Sequence, residues 1–144
     1  KIVIAIAFSL MLFLPSIAMA IEPPVDVQEI FTSTKTIEGD GFTYPRGIAE
    51  MRLYRVEVKA GGEIPLHSHP APLTGHIQTG QLTLKKESGK SQTFREGDSF
   101  VLSAKTPPHT MGNTGNNSAV MWVSVASAEG VPTLTSIEKP SVKG

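Results

Sequence analysis

Three of the four histidines in this 144-residue chain lie within residues 67–76, in the stretch HSHPAPLTGH. One residue separates His67 from His69, and residues i and i+2 of a β-strand project from the same face. Two imidazoles on one face, near the end of a strand, can share one metal ion. Such a pair alone is more often two polar side chains on an outer surface, so the surrounding sequence has to decide.

Two glycine-containing motifs surround these histidines. The pattern G-x5-H-x-H-x(3,4)-E-x6-G is matched at every position but the glutamate, by Gly61, His67, His69 and Gly80. The pattern G-x5-P-x-G-x2-H-x3-N is matched in part, with one extra residue before the histidine, by Gly97, His109 and Asn113. In these two motifs, over about residues 50–127, the chain resembles the cupin family.

The resemblance implies a small all-β jelly-roll barrel with a divalent metal ion inside. The metal ligands that it implies are His67, His69 and His109. The glutamate of the first motif is missing, because its place is taken by Leu73, or by Thr74 with the longer spacing. Imidazole ligands accept several metals, so Zn, Fe, Mn, Ni and Cu all remain candidates, and the loss of the carboxylate is also compatible with weak binding or none.

Three further residues near the motifs are candidates for an additional ligand or for the pocket wall. His76 follows the missing glutamate by three residues, and it would face the metal only if a β-bulge shifted the strand's parity. Gln78 is a candidate for an inward-pointing hydrogen-bond partner. Met111 shares the face of His109, where its thioether is either a copper ligand or, more commonly, part of the core.

The pattern of strands and turns supports the same fold class. Short segments rich in Val, Ile, Thr and Phe are divided by Gly, Pro and Asn, and no long helical periodicity occurs, which favours a β-sandwich or barrel. A first strand is expected over residues 28–37, and a tight turn at Thr79-Gly80 is expected to join two strands as a hairpin. The aromatic side chains expected in the core or the pocket wall are Tyr54, Phe94, Phe100 and Trp122.

Four regions are expected along the chain. Residues 1–20 combine a lysine, a long apolar run and Ala18-Met19-Ala20, which is typical of a secretory signal peptide; an uncleaved membrane anchor is the alternative. Residues 21–48 should contain an N-terminal leader and the first strand, residues 49–136 the barrel, and residues 137–144 a C-terminal tail. We therefore expect a periplasmic or secreted protein with no membrane association after signal cleavage.

Composition narrows the classes of partner and of chemistry. The thirteen Lys and Arg residues balance the thirteen Asp and Glu residues, so a nucleic-acid partner is not expected. The chain has no cysteine, which excludes disulfides, thiolate ligands and a cysteine nucleophile. A small molecule is the expected ligand, and the resemblance implies a homodimer as one possible assembly.

Two kinds of function follow from the resemblance. In the first, three histidines bind a divalent metal that keeps open positions for a small anionic or oxygen ligand, as in a dioxygenase-like or isomerase-like enzyme. In the alternative, the protein is a non-catalytic module that binds a small ligand, or a homodimeric structural barrel with a vestigial site. Because one fold hosts many functions, the fold alone does not decide between them.

Overall fold

The computed structural model describes residues 24–138. The chain divides into two units, residues 1–30 and residues 31–144. In the first unit the described residues, 24–30, are exposed and contain no helix or strand. Within residues 24–138, no helix has the length and apolar character needed to cross a membrane. The expected signal segment 1–20 and most of the expected tail lie outside the described residues, so the proposed region boundaries stay predictions.

The second unit is built from β-strands, and its described part contains no helix. In chain order the strands are β1 (Ala49–Val58), β2 (Glu63–Ser68), β3 (Leu73–Thr79), β4 (Gln81–Lys86), β5 (Ser91–Arg95), β6 (Ser99–Leu102), β7 (His109–Gly112), β8 (Ala119–Ala128) and β9 (Thr135–Ser136). They form a four-stranded sheet in the order β1-β8-β3-β6 and a five-stranded sheet in the order β5-β4-β7-β2-β9. Every pairing in both sheets is antiparallel, as expected for a jelly-roll barrel.

Alternation along the strands produces the core between the sheets. In β8, Met121, Val123 and Val125 are buried, and they belong to one apolar cluster with residues of the other sheet such as Leu82 and Leu84. Trp122, Ser124 and Ala126, on the opposite face of β8, are more exposed. The jelly-roll class predicted from the sequence is therefore confirmed, with an apolar interior that both sheets contribute to.

The aromatic side chains divide between the interior and the surface. Phe94 and Phe100 are buried and stack with ring centroids 4.1 Å apart, and Tyr54 borders the interior at 39% exposure. The expectation that Trp122 belongs to the interior was wrong. This side chain lies on the outer face of β8, 37% exposed, because the parity set by Met121 and Val123 turns it outward.

Two expectations about strands were also wrong. Residues 28–37 form no strand beyond an isolated bridge between Lys35 and Gly41. This segment lacks strict alternation, and residues 28–35 are exposed. Pairing it with a strand would therefore bury no continuous apolar face. β3 and β4 also form no hairpin, because they belong to different sheets. At the junction, Gly80 has a φ of 76°, a conformation that favours glycine, and it lets the chain cross from one sheet to the other.

Asn113 of the second motif joins three parts of the chain at the end of β7. Its Nδ2 donates to the carbonyls of Val58 at 2.7 Å and Asn117 at 2.8 Å. Its Oδ1 accepts a hydrogen bond from the backbone N–H of Gly115. The backbone of Asn113 also pairs with Gly61 and Gly62. This motif residue therefore acts by fixing loops rather than by contacting a ligand.

Candidate metal centre

His67 and His109 are direct partners across the pair of strands β2 and β7. The register between these strands shifts by one residue between Ile64 and His67, an interval that contains Pro65 and Leu66. Proline cannot donate to a ladder and is tolerated at such bulges. Because of the shift, Ile64 and His67 both line the interior cavity although they are three positions apart. The bulge thus brings His67 opposite His109, inside the barrel.

His69 lies just beyond the last residue of β2 and is 7% exposed. Its ring is held by the segment before β9, because its Nδ1 lies 2.9 Å from the carbonyl oxygen of Thr133. β9 in turn pairs with His67 and Ser68 of β2. The third imidazole is therefore positioned by the segment before β9, near the C-terminal end of the described chain and far away in sequence.

The three imidazoles form one compact, buried group. The ring centroids are 4.8 Å apart for His67 and His69, 4.6 Å for His67 and His109, and 5.4 Å for His69 and His109. One ring nitrogen from each histidine lies within 4.8 Å of those of the other two, which can hold a metal ion. Two nitrogens on one ion at about 2.1 Å each are at most about 4.2 Å apart, so the group is close to ligand spacing.

Backbone carbonyls determine which nitrogen of each ring is available. The Nδ1 atoms of His67, His69 and His109 lie 2.7, 2.9 and 2.8 Å from the carbonyl oxygens of Pro65, Thr133 and Pro107. A carbonyl oxygen only accepts, so each Nδ1 must carry the proton and donate it. In the neutral ring, Nε2 then has a free lone pair. Metal-binding histidines are commonly oriented by this kind of hydrogen bond.

The Nε2 atom of His109 gives the strongest indication that this group of histidines binds a metal ion. His109 is 0% exposed, and its Nε2 is a buried polar atom without a hydrogen-bond partner among the described residues. A buried lone pair left unpaired costs about 1–3 kcal/mol. Three neutral imidazoles with their Nε2 lone pairs available are ligands that divalent Zn, Cu, Fe and Ni accept. The residues present therefore fit a metal ion.

Burial favours the uncharged form of His69 and of His109. It lowers the pKa of His69 from 6.5 to about 4, although the hydrogen bond to Thr133 acts in the opposite direction; the neighbouring His67 and His109 add to the lowering. Burial also lowers the pKa of His109, against the raising effect of its hydrogen bond to Pro107. Because only the neutral ring has a lone pair to offer, these shifts favour metal binding down to acidic pH.

Leu73 occupies the place of the missing glutamate. It is 5% exposed and lines the same cavity as the three histidines, whereas Thr74 projects to the other face of β3. Within the described lining of the cavity there is no carboxylate. The centre therefore has three neutral ligands, and a divalent ion bound there would keep its full charge of +2.

The structure does not bring His76 or Gln78 to this centre. β3 pairs with β8 without a shift from Leu73 to Ile77, so the bulge that His76 would need is not formed. His76 instead hydrogen-bonds through Nδ1 to the hydroxyl of Ser99 on the outer face, and Gln78 accepts a hydrogen bond from Nε1 of Trp122. Met111, by contrast, is 3% exposed and lines the cavity.

The histidines lie in the wall of a cavity of about 340 Å³. The rest of the wall is mostly apolar, and its described residues are Tyr54, Val56, Ile64, Leu73, Phe100, Leu102, Met111, Met121, Val123, Thr133 and Leu134. The most exposed of these, Tyr54 and Leu134, are both 39% exposed and mark the opening. The centre is thus reached through an apolar chamber.

Sequence reasoning missed the role of Thr133. Its carbonyl orients His69, and its hydroxyl contacts Tyr54 and Arg52. Nothing in its local sequence indicates this, because the contacts join residues about 64 to 81 positions apart. Tyr54 was expected in the core or the pocket wall, and it lies in the wall.

Solved structures with the same fold are distant in sequence. The polyketide cyclase RemF from Streptomyces resistomycificus matches with a TM-score of 0.53 at 16% identity, over 63% of this chain and 63% of the cyclase. The oxalate decarboxylase of Lactobacillus farciminis, in a formate complex, matches with a TM-score of 0.51 at 18% identity, over 60% of this chain and 26% of the decarboxylase. A cupin-like protein from Thermotoga maritima matches with a TM-score of 0.50 at 11% identity, over 62% and 65%.

These likenesses establish the fold alone, and the chain spans less than two thirds of the length of each of the three proteins. No curated protein matches the sequence. The sequence model of the cupin domain matches residues 54–126, which run from β1 to β8 and include His67, His69 and His109. Both motifs and the two-sheet barrel agree with that match, and the chain belongs to the cupin family.

Proposed function

We propose that this cupin binds a divalent metal ion through Nε2 of His67, His69 and His109 and presents it to a small oxygen-containing or anionic ligand in the apolar cavity. The observation that carries the proposal is the state of the three rings. Each Nδ1 donates to a backbone carbonyl, and the Nε2 of His109 is buried with no partner among the described residues.

The protein's own groups would have three roles at this centre. The carbonyls of Pro65, Pro107 and Thr133 hold the rings in one tautomer and orientation. The apolar wall keeps water from the ligand and strengthens electrostatic attraction inside the cavity. A divalent ion bound there supplies a Lewis acid that binds and polarises an oxygen of the ligand. The identity of the metal, among Zn, Fe, Mn, Ni and Cu, is not fixed by three imidazoles.

Two functions share this centre. A dioxygenase-like or isomerase-like enzyme would use the metal to activate its ligand. A non-catalytic binding module is favoured by one specific observation, namely that Leu73 stands where a carboxylate would otherwise serve as a proton acceptor. Apart from the histidines, Tyr54 is the one titratable side chain in the described lining. Chemistry that needs a carboxylate base is therefore poorly supported by this wall.

The proposal includes a location and an assembly. The apolar segment at residues 1–20, with small residues at its end, supports export and a periplasmic or secreted protein. Exposed apolar side chains on the outer face of β1, Met51 at 70% and Leu53 at 67%, support a homodimer. Fractionation of the producing cells tests the location, and sedimentation of the purified protein tests the assembly.

The test of the metal centre is elemental analysis of the purified protein after dialysis against mixed divalent ions. We expect about one metal per chain in the wild type and loss of metal in His109→Ala. His76→Ala is the matched control, because it removes an imidazole from the outer face and should leave the metal content unchanged. A wild type without metal would leave a structural barrel with a vestigial site. Oxygen uptake and turnover with candidate ligands then separate an enzyme from a binding module.

A further inference from the structure

The cavity wall contains very few groups that can make a hydrogen bond. Besides the three histidines, the described lining has two hydroxyl groups, on Tyr54 and Thr133, and the other side chains are aliphatic, aromatic or thioether groups. A polyhydroxylated or phosphorylated ligand would bury many polar atoms without partners, and each would cost affinity. The wall therefore favours a ligand whose body is mainly hydrocarbon.

The two hydroxyl groups lie together at the opening. The oxygen of Tyr54 is 2.8 Å from Oγ1 of Thr133, and Nη1 of Arg52 donates to the same Oγ1 at 3.0 Å. Arg52 is itself held by two hydrogen bonds to the carboxylate of Glu50, both 2.9 Å long, and it does not belong to the lining. The positive charge behind the hydroxyl pair is thereby neutralised.

Counting protons shows that this pair has one donor to spare. Thr133 and Tyr54 each have one O–H group, and Oγ1 of Thr133 already accepts from Arg52. One of the two O–H groups fills the contact between the oxygens. Whichever group that is, the second O–H has no acceptor among the described residues. The opening thus has one uncharged donor available, which suits one acceptor oxygen of a ligand.

The part of the wall that contains the three histidines favours a negatively charged group of the ligand. Three neutral imidazoles leave a divalent ion at +2, because Leu73 supplies no carboxylate. Resting on the proposed metal function, we propose that the cavity takes a monoanionic, largely hydrocarbon ligand. Its anionic oxygen binds at the three histidines, and a second, uncharged oxygen accepts a hydrogen bond from the Tyr54–Thr133 pair.

The first experiment titrates the zinc-loaded protein with chosen probes by calorimetry. Benzoate should bind at least about tenfold more tightly than acetate, because its ring fills apolar wall. The three isomers of acetylbenzoate hold the acetyl oxygen at three different distances from the carboxylate. Each isomer is compared with the isopropylbenzoate of the same shape. At least one acetyl isomer should bind about fivefold more tightly than its isopropyl counterpart, through one hydrogen bond. Succinate and glucose 6-phosphate should bind more weakly than benzoate.

The second experiment uses variants that follow from the proton count. Tyr54→Phe leaves the O–H of Thr133 free, and Thr133→Val leaves the O–H of Tyr54 free, so each single variant should keep part of the acetyl preference. The double variant removes both hydroxyl groups and should lose the preference, and its benzoate affinity shows how far the altered wall itself changes binding. Thr133→Val keeps the backbone carbonyl that orients His69, so zinc content should persist and is measured in every variant.

The outcomes separate this inference from the metal function on which it rests. Absence of zinc in the wild type overturns both. Stoichiometric zinc with tighter binding of succinate or glucose 6-phosphate than of benzoate overturns the ligand class alone. An acetyl preference that persists in the double variant overturns the role of Tyr54 and Thr133. If the double variant does not fold, the comparison of acetyl and isopropyl probes on the wild type decides, and equal affinities there contradict the inference.

Discussion

His67 and His109 face each other across β2 and β7 with ring centroids 4.6 Å apart, although 42 positions separate them in the sequence. Their approach depends on the one-residue shift between Ile64 and His67, without which the parity of β2 would turn His67 away from Ile64's side of the sheet. The centre is therefore a product of strand register, with His69 added by the connection that follows β2.

Metal binding should stabilise the folded protein, because a preformed group of ligands exists only in the native state. At a free metal concentration one hundred times the dissociation constant, one site contributes about 2.7 kcal/mol. We expect chelation to lower the melting temperature by several degrees, measured by the near-ultraviolet circular dichroism of Trp122. His109→Ala should show no such difference between metal-loaded and chelated samples, whereas His76→Ala should behave like the wild type. An equal response in all three proteins would contradict a metal centre at His109.

Leu73→Glu should restore the missing ligand, because the side chain at this position lines the cavity beside the histidines. We expect metal affinity to rise at least about tenfold, since a carboxylate adds charge attraction and one more bond. The same change lowers the charge of the loaded centre to +1, so binding of benzoate should weaken. Metal competition with a chromophoric chelator measures the first effect and calorimetry the second.

The control for this substitution is Thr74→Glu, one residue along β3. Thr74 projects to the other face of the strand, so the added carboxylate cannot reach the histidines. Metal affinity in this variant should equal that of the wild type. If Thr74→Glu tightened metal binding as much as Leu73→Glu does, surface charge rather than ligation would be the cause.

The metal-free protein should lose stability as the pH falls. Burial lowers the pKa of His69 to about 4 from an unfolded value of 6.5, so the unfolded chain takes up a proton first. The free energy of unfolding should be constant above about pH 6.5 and decrease from there to about pH 4, by up to about 1.4 kcal/mol per unit for this histidine. The lowered pKa of His109 acts in the same direction.

Urea unfolding in the presence of a chelator, at several values of pH between 4 and 8, measures this dependence. His69→Gln is the informative variant, because its amide can donate to the carbonyl of Thr133 but does not titrate. Its stability should fall less steeply below pH 6.5 than that of the wild type. Identical slopes would show that other groups cause the acid sensitivity.

Much of this centre could be predicted from spacing, and the rest depended on long-range pairing. The alternation rule and the two motifs indicated His67, His69 and His109. The absence of the motif's glutamate was also evident from the sequence, because Leu73 stands in its place. The bulge between Ile64 and His67 could not be predicted, since its existence depends on which strand pairs with β2. For the same reason the hairpin expected at Gly80 was wrong: the turn residue is present, but pairing partners from distant strands, β8 and β7, compete successfully for β3 and β4.

Gly75→Ala tests how closely the ring of Phe100 packs against β3 in the cavity wall. A Cβ at residue 75 would lie 2.6 Å from Cε2 of Phe100, whose ring lines the cavity and stacks on Phe94. Real Cβ atoms do not approach that closely, so the ring or the strand must move, and such overpacking costs about 1–3 kcal/mol. We expect that loss in urea unfolding, together with weaker binding of benzoate, because a displaced ring enters the chamber.

Gly89→Ala, at a turn with open space around residue 89, controls for the loss of glycine alone. Gly89 has a φ of 84°, so its cost comes from the backbone and should leave benzoate binding unchanged. Unaltered benzoate affinity in Gly75→Ala would mean that Phe100 moves away from the cavity rather than into it.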